Sequence, residues 1–196
     1  MEEIVDSTKY GLSVKGSNKG KFPILRMNNL IGGQVDTSEL QYVDLEDDQF
    51  ERFRLSKDDI LFNRTNSFEL VGKTSMFISD GDYVFASYLI RISVDKEKVL
   101  PRFLNYYLNL PGTQKRLKML ATRGVGQSNI SAAKLKGLLV PVPPLVEQER
   151  IVQTLRALDE KIESEAKTKR ALEEILRTLI RQILNGQIRI QDMEVR

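Results

Sequence analysis

The chain has 196 residues, with 30 Lys and Arg against 27 Asp and Glu, a net charge of +3, and neither His nor Cys. That length holds one compact domain plus an elongated element. The missing residue types exclude Ser-His and Cys-His nucleophiles, disulfides, thiolate metal sites and most zinc sites.

No apolar run approaches a membrane span, and Met1-Glu2-Glu3-Ile4-Val5-Asp6 does not read as a signal peptide. A cytoplasmic protein without a cofactor is expected. In chain order, residues 1–20 read as irregular, with Gly11, Gly16 and Gly20 among Lys and Ser. Phe22 to Met27 reads as a strand, and Asn28-Asn29 with Gly32-Gly33 as loop. Gln41 to Leu45 is a short strand and Asp47 to Arg54 one or two helical turns. Leu55 to Phe62 reads as a turn entering a buried strand, followed by the polar run Asn63-Arg64-Thr65-Asn66-Ser67. Val71 to Ile78 and Tyr83 to Val94 read as further strands, the second rich in β-branched and aromatic residues. Pro101 and Pro111 each suit the first turn of a helix, one running to Asn109 and one to about Ala121. Arg123 to Asn129 is a Gly-rich polar loop, Ser131 caps a short helix over Ala132 to Lys136, and Leu138 to Val140 is a last strand.

From Leu145 the sequence runs without Pro or Gly to Asn185. Apolar residues recur at alternating spacings of four and three: Ile151, Leu155, Leu158, Ile162, then Leu172, Leu176, Leu179 and Ile183. The same count through the middle lands on Glu165 and Lys169, so this is one heptad register with two polar seam positions. Pro143 and Pro144 bar a helix from extending backwards, and Gly186 fits the position just past its end. At 1.5 Å per residue the seam is roughly 50 Å long. No second stretch of matching length exists in the chain, so the partner helix is expected on another chain. In an antiparallel pair centred on position 167, Ile151 faces Ile183, Leu155 faces Leu179, Leu158 faces Leu176 and Ile162 faces Leu172. Glu165 then meets Lys169 of the second copy, twice. A parallel pair would set like charges together, so the seam predicts an antiparallel homodimer. Docking on a different protein is the alternative. Beyond the helix, Gln187 to Ile190 alternates like a small edge strand.

Charge is segregated along the chain. There is no acid from Lys98 to Val146 or from Ser7 to Val35, while acids collect between Asp36 and Asp59. Such segregation suggests a positive face for a nucleic-acid backbone, against the alternative of a solvated basic surface. Arg64, Thr65 and Asn66 offer base-pairing and phosphate-binding groups, as do Arg26, Asn28 and Asn29, and the loop of Arg123, Gln127, Ser128 and Asn129, which lies inside an acid-free stretch. The alternative for each loop is that its side chains satisfy their own backbone. Glu46, Asp47 and Asp48 read as a solvated acidic turn rather than a metal site, and no phosphate loop or dinucleotide fingerprint is present.

The stretch Pro141-Val142-Pro143-Pro144-Leu145, Glu147-Gln148, Arg150-Ile151-Val152, closing with Ile183-Leu184-Asn185-Gly186-Gln187-Ile188-Arg189-Ile190, strongly resembles the conserved region of type I restriction-modification specificity (S) subunits. Asn185 and Gln187 stand where that family usually has Thr and Lys. Upstream, Asp59 to Thr65, Val71-Gly72-Lys73 and Gly126 to Ile130 resemble the family's target-recognition domain. A typical S subunit has two recognition domains and two conserved helices; this chain has one of each and resembles a half-subunit. The resemblance implies an α+β fold. A DNA-binding domain over residues 1–140 would be followed by a linker and spacer helix over 141–186 and a tail over 187–196. On that reading, double-stranded DNA contacts are expected from Arg26, Asn28, Asn29, Arg64, Thr65, Asn66, Lys73, Arg123, Gln127, Ser128 and Asn129. The resemblance also implies no catalysis by this chain, and recruitment of a methyltransferase subunit and, through it, a restriction subunit. A fragment that assembles with full-length S subunits is the alternative; a carboxylate-metal nuclease is a more distant one.

Overall fold

The computed structural model describes residues 1–188. Its strands are β1 (Val5–Tyr10), β2 (Phe22–Leu25), β3 (Leu30–Ile31), β4 (Gln34–Val35), β5 (Gln41–Val43) and β6 (Ile60–Asn63). They continue with β7 (Thr65–Asn66), β8 (Thr74–Met76), β9 (Val84–Phe85), β10 (Leu89–Val94), β11 (Thr122–Arg123) and β12 (Ser128–Asn129). The helices are α1 (Asp47–Phe53), α2 (Pro101–Asn109), α3 (Pro111–Leu120), α4 (Ala132–Lys136) and α5 (Leu145–Leu184). The fold is α+β, as expected. One compact unit runs from Met1 to Arg150 and a second begins at Ile151.

The first unit is built on a six-stranded sheet in the order β1-β10-β6-β8-β4-β3. Its middle strand β6 is buried at all of Ile60, Leu61, Phe62 and Asn63, which explains a run of apolar residues without alternation. A three-stranded sheet β5-β2-β9 stands beside it. Leu25, Leu30, Leu55, Leu61, Phe77, Phe85 and Leu89 form one core cluster, and Phe22 stacks on Phe50 of α1 with ring centroids 4.1 Å apart in another. The helix α2 is clamped on by two amides. Asn105 Nδ2 donates to the Gly33 carbonyl at 2.9 Å, and Asn109 Nδ2 to the Thr74 carbonyl at 3.0 Å.

Several expected elements differ. Residues 5–10, read as irregular, form β1, which pairs antiparallel with β10. Only Val5 is buried along β1, and an exposed edge strand carries little apolar pattern to read. The stretch Tyr83 to Val94 is two strands in different sheets, broken at Ala86-Ser87-Tyr88. Leu138 to Val140 forms no strand; its chain is tied down by side chains, as where the Tyr107 hydroxyl donates to the Leu139 carbonyl at 3.3 Å. The helices starting at Pro101, Pro111 and Ala132 form as expected, the last with Ser131 Oγ accepting from the Lys134 amide. The expected strand Gln187 to Ile190, with the rest of the 187–196 tail, lies largely outside the described residues.

The helix α5 starts at Leu145, directly after Pro144, and is 40 residues long. Gly186 has φ of 69°, the left-handed conformation that closes a helix C-terminus. Its first turn belongs to the first unit, because Gln148 is 0% exposed there. Gln148 Nε2 donates to the carbonyls of Lys98 and Pro143, at 2.9 and 2.8 Å, and Oε1 accepts from the Leu100 amide at 2.8 Å.

Candidate nucleic-acid interface

Three polar loops distant in sequence converge beyond the end of β6. The first follows β2, where a single 3-10 turn spans Met27–Asn29. The second is the run from Arg64, whose residues Thr65 and Asn66 form β7. The third, read as a loop, is a hairpin: β11 and β12 pair Thr122 with Asn129 and Arg123 with Ser128. The hairpin then adds to β7, with Ser128 opposite Asn66 and Asn129 opposite Thr65. Asn66 Nδ2 reaches the Met27 sulfur at 3.3 Å, joining the first loop to the other two.

The side chains divide into those that build these loops and those left at their surface. Asn29 is 3% exposed. Its Oδ1 accepts from the Arg26 amide at 2.9 Å, and its Nδ2 donates to the carbonyls of Asp36 and Glu39, both at 2.9 Å. Its amide is spent on closing the 29–39 segment. Asp36 sits at that closure with its carboxyl held below the ordinary carboxylate value by hydrogen bonds from the Ser38 amide and hydroxyl. Thr65 and Ser128 are buried, and Asn129 Nδ2 donates to Thr65 Oγ1 at 2.7 Å, so this trio stiffens the ribbon. Arg26, Asn28, Arg64, Arg123 and Gln127 keep exposed or half-exposed side chains. Lys73 is exposed on the connection from β7 to β8, beside Gly72, whose carbonyl accepts from Gln114 of α3 at 2.9 Å.

Two arginines are held without carboxylates, which leaves their charge available to an anion. The Arg64 guanidinium lies 4.7 Å from the Tyr10 ring centroid, and its Nη1 donates to the Ser87 carbonyl at 3.3 Å. The Arg123 guanidinium lies 4.1 Å over the Phe68 ring. Beside Arg26 and Asn28 opens a cleft of about 420 Å³, also lined by Lys15, Gln41, Ser87 and Tyr88. Arg26 and Arg64 each keep a buried Nε–H without a protein partner.

Sequence reasoning missed Lys15, Gln41, Tyr10 and Tyr88. Tyr88 falls in a stretch whose sequence reads as one long strand, and the polar Ser87 that interrupts the apolar run is the usable signal. Lys15 lies in a stretch that reads as irregular and Gln41 at the start of a short strand, and only the fold brings them to the cleft. Two of the acids are engaged elsewhere. Asp59 is buried and accepts from Ser93 Oγ at 2.7 Å and the Ser56 amide at 2.8 Å, and Asp47 pairs with Lys21 at 3.2 Å. Among the described residues no group of His, Cys, Asp or Glu is set to hold a metal ion, and no helix is long and apolar enough to cross a membrane.

In the second unit the heptad seam is bare. Leu158, Ile162, Leu172 and Leu176 are each more than half exposed; Ile151, Leu155, Leu179 and Ile183 are half-buried. Ile175 and Ile180, not in the seam as read, widen the stripe in the C-terminal half. Glu165 pairs with Lys161 at 2.7 Å and Lys169 with Glu173 at 3.9 Å, both along the same helix and exposed.

Residues 3–174 match the family model described as the type I restriction modification DNA specificity domain. The chain is 31% identical over 157 residues to the StySPI specificity subunit of Salmonella potsdam, covering 79% of this chain and 34% of that one. It is 28% identical over 161 residues to the EcoKI specificity subunit of Escherichia coli K12, covering 80% of this chain and 34% of that one. A crystal structure of the HsdS subunit from Thermoanaerobacter tengcongensis superposes with a TM-score of 0.63 at 17% identity, over 100% of this chain and 50% of that one. The chain thus spans about a third of the length of these relatives and half of the solved neighbour.

Proposed function

Because the chain belongs to the type I restriction-modification DNA specificity domain family, we propose that it supplies a target-recognition unit and a spacer helix of a specificity subunit. It reads one half of a DNA target in the cytoplasm and pairs through α5 with a second copy to read the other. It carries out no chemistry itself, and recruits a methyltransferase subunit and, through it, a restriction subunit.

The observation that carries this reading is a compact unit followed by a long helix with a bare apolar stripe. An exposed stripe of this extent marks an interaction surface, since each aliphatic side chain it buries contributes about 1.5–3 kcal/mol. Its charge pattern favours a second copy, with Glu165 opposite Lys169 at both crossings. DNA reading is supported by the convergence of three polar loops bearing Arg26, Asn28, Arg64, Asn66, Arg123 and Gln127, with Lys73 as an outlying phosphate contact. Asn29, Thr65, Ser128 and Asn129 hold that surface in shape.

Two-fold pairing implies an interrupted palindrome. A spacer of roughly 50 Å corresponds to about one to one and a half turns of duplex between half-sites. Selection from a random duplex pool, with and without the methyltransferase subunit, tests this. Enrichment of an interrupted palindrome is expected. Enrichment of a single half-site would overturn the homodimer, and enrichment of nothing under either condition would overturn specific DNA reading by this chain.

A further inference from the structure

The tip of the β11–β12 hairpin carries a group that the polar loops do not account for. Val125 is 107% exposed, with no side chain around it. Gly124 and Gly126 stand on either side; a Cβ at Gly126 would meet nothing within 4 Å, and at Gly124 only the Gln127 carbonyl, at 3.5 Å. Gly126 has φ of 75°, and the Gly124 amide donates to the Gln127 carbonyl at 2.7 Å, which closes a narrow turn. The isopropyl group is therefore the only side chain at the apex of a slim two-stranded ribbon.

The ribbon is held at its base. β12 pairs with β7, Asn129 donates to Thr65, and Lys134 Nζ donates to Thr122 Oγ1 at 2.8 Å and to the Leu120 carbonyl at 2.9 Å. Arg123 and Gln127 flank the tip, and there is no acid from Lys98 to Val146 to repel a phosphate backbone. A two-stranded ribbon fits the major groove, which is roughly 12 Å wide. An aliphatic tip has no donor or acceptor. The feature of a base edge that it can recognise there is the C5 methyl group of thymine.

We propose that Val125 reads a thymine methyl group in the major groove and so sets one base of the half-site. This rests on the DNA-reading role proposed above. A wedge driven between base pairs is the competing use of an apolar tip, but such wedges are generally larger side chains. Recognition of the methyl group by Val125 makes a sharper prediction than a wedge, because deoxyuridine keeps every hydrogen bond of thymidine and lacks only the methyl.

The test uses the full chain and the duplex recovered by selection, with each thymine replaced in turn by deoxyuridine. At one thymine position per half-site the substitution should weaken binding by about fourfold, the equivalent of one lost methyl contact. Val125→Ser should bind the thymine and uracil duplexes equally, at the weaker level. Val125→Ile should restore the preference. The tip is fully exposed, so both variants should fold. If a half-site is selected but no uracil substitution changes wild-type binding, or Val125→Ser retains the preference, the inference is overturned while DNA reading stands. If Val125→Ser weakens binding without regard to the methyl group, the tip is a wedge. If selection enriches nothing, the inference falls with the reading it rests on.

Discussion

Replacing Gln148 by alanine should destabilise the first unit by about 3 kcal/mol. The side chain is fully buried and makes three hydrogen bonds of 2.8–2.9 Å to backbone groups: the carbonyls of Lys98 and Pro143 and the amide of Leu100. Truncation strands all three, and an unsatisfied buried polar group costs about 1–3 kcal/mol. Taking the lower end for each, because water can enter the space left behind, gives the total. With a urea slope of about 2 kcal/mol/M, the midpoint should fall by about 1.5 M. Tyrosine fluorescence reports the right unit, since all 6 tyrosines lie between Tyr10 and Tyr107. The exposed neighbour Glu149→Ala should shift stability by less than about 0.5 kcal/mol. Gln148→Glu separates hydrogen bonding from packing. At neutral pH its carboxylate can still accept from Leu100 but faces two carbonyls with no proton to donate. Burial and those carbonyls raise its folded pKa, so the penalty should shrink as the pH falls and the acid regains a donor. A midpoint shift for Gln148→Ala below about 0.3 M, or a Gln148→Glu penalty that does not shrink on acidification, would refute the reasoning.

Glu165→Lys should weaken self-association by about tenfold, because two opposed pairs become repulsive at roughly 0.5–1 kcal/mol each. The double swap with Lys169→Glu should recover most of it, short of full restoration because Lys161 and Glu173 then face like charges along their own helix. Sedimentation equilibrium reads this, and equal association in all variants would sink the antiparallel register. Arg64→Ala should weaken binding to the selected site by about ten- to hundredfold and to random duplex far less; equal losses would make Arg64 a phosphate contact only. Asp95 accepts from Lys98 Nζ at 2.8 Å and from the Glu97 amide at 3.0 Å, and these bonds, that from Lys98 foremost, hold its carboxyl below the ordinary 3.8. The folded state then binds fewer protons than the unfolded one just below that pH, so stability rises with pH there. Asp95→Asn should therefore be less stable than wild type above pH 3.8, with the difference vanishing as the pH falls through the folded value, measured by urea titration.

The sequence by itself determined the elements whose cause is local. α5 is bounded by Pro144 and Gly186 and patterned by its own heptads. α2 and α3 begin at prolines that suit a first turn, and α4 begins at a serine that caps it. Each depends on neighbours within a few residues, so each is legible in order along the chain. Tertiary structure decided what depends on partners far away. β1 becomes a strand because β10 offers its edge, the stretch from Tyr83 to Val94 splits because its two halves join different sheets, and the Gly-rich loop becomes a hairpin by adding to β7. The same division runs through the site. That Arg26 and Arg123 lie in stretches free of acids, and Arg64 in a dense polar run, is visible in the sequence. That Asn29 is buried inside its loop, and that Lys15, Gln41 and Tyr88 line a cleft with Arg26, was not. A polar side chain has the same chemistry whether it satisfies its own backbone or faces solvent, and only packing determines which of the two it does.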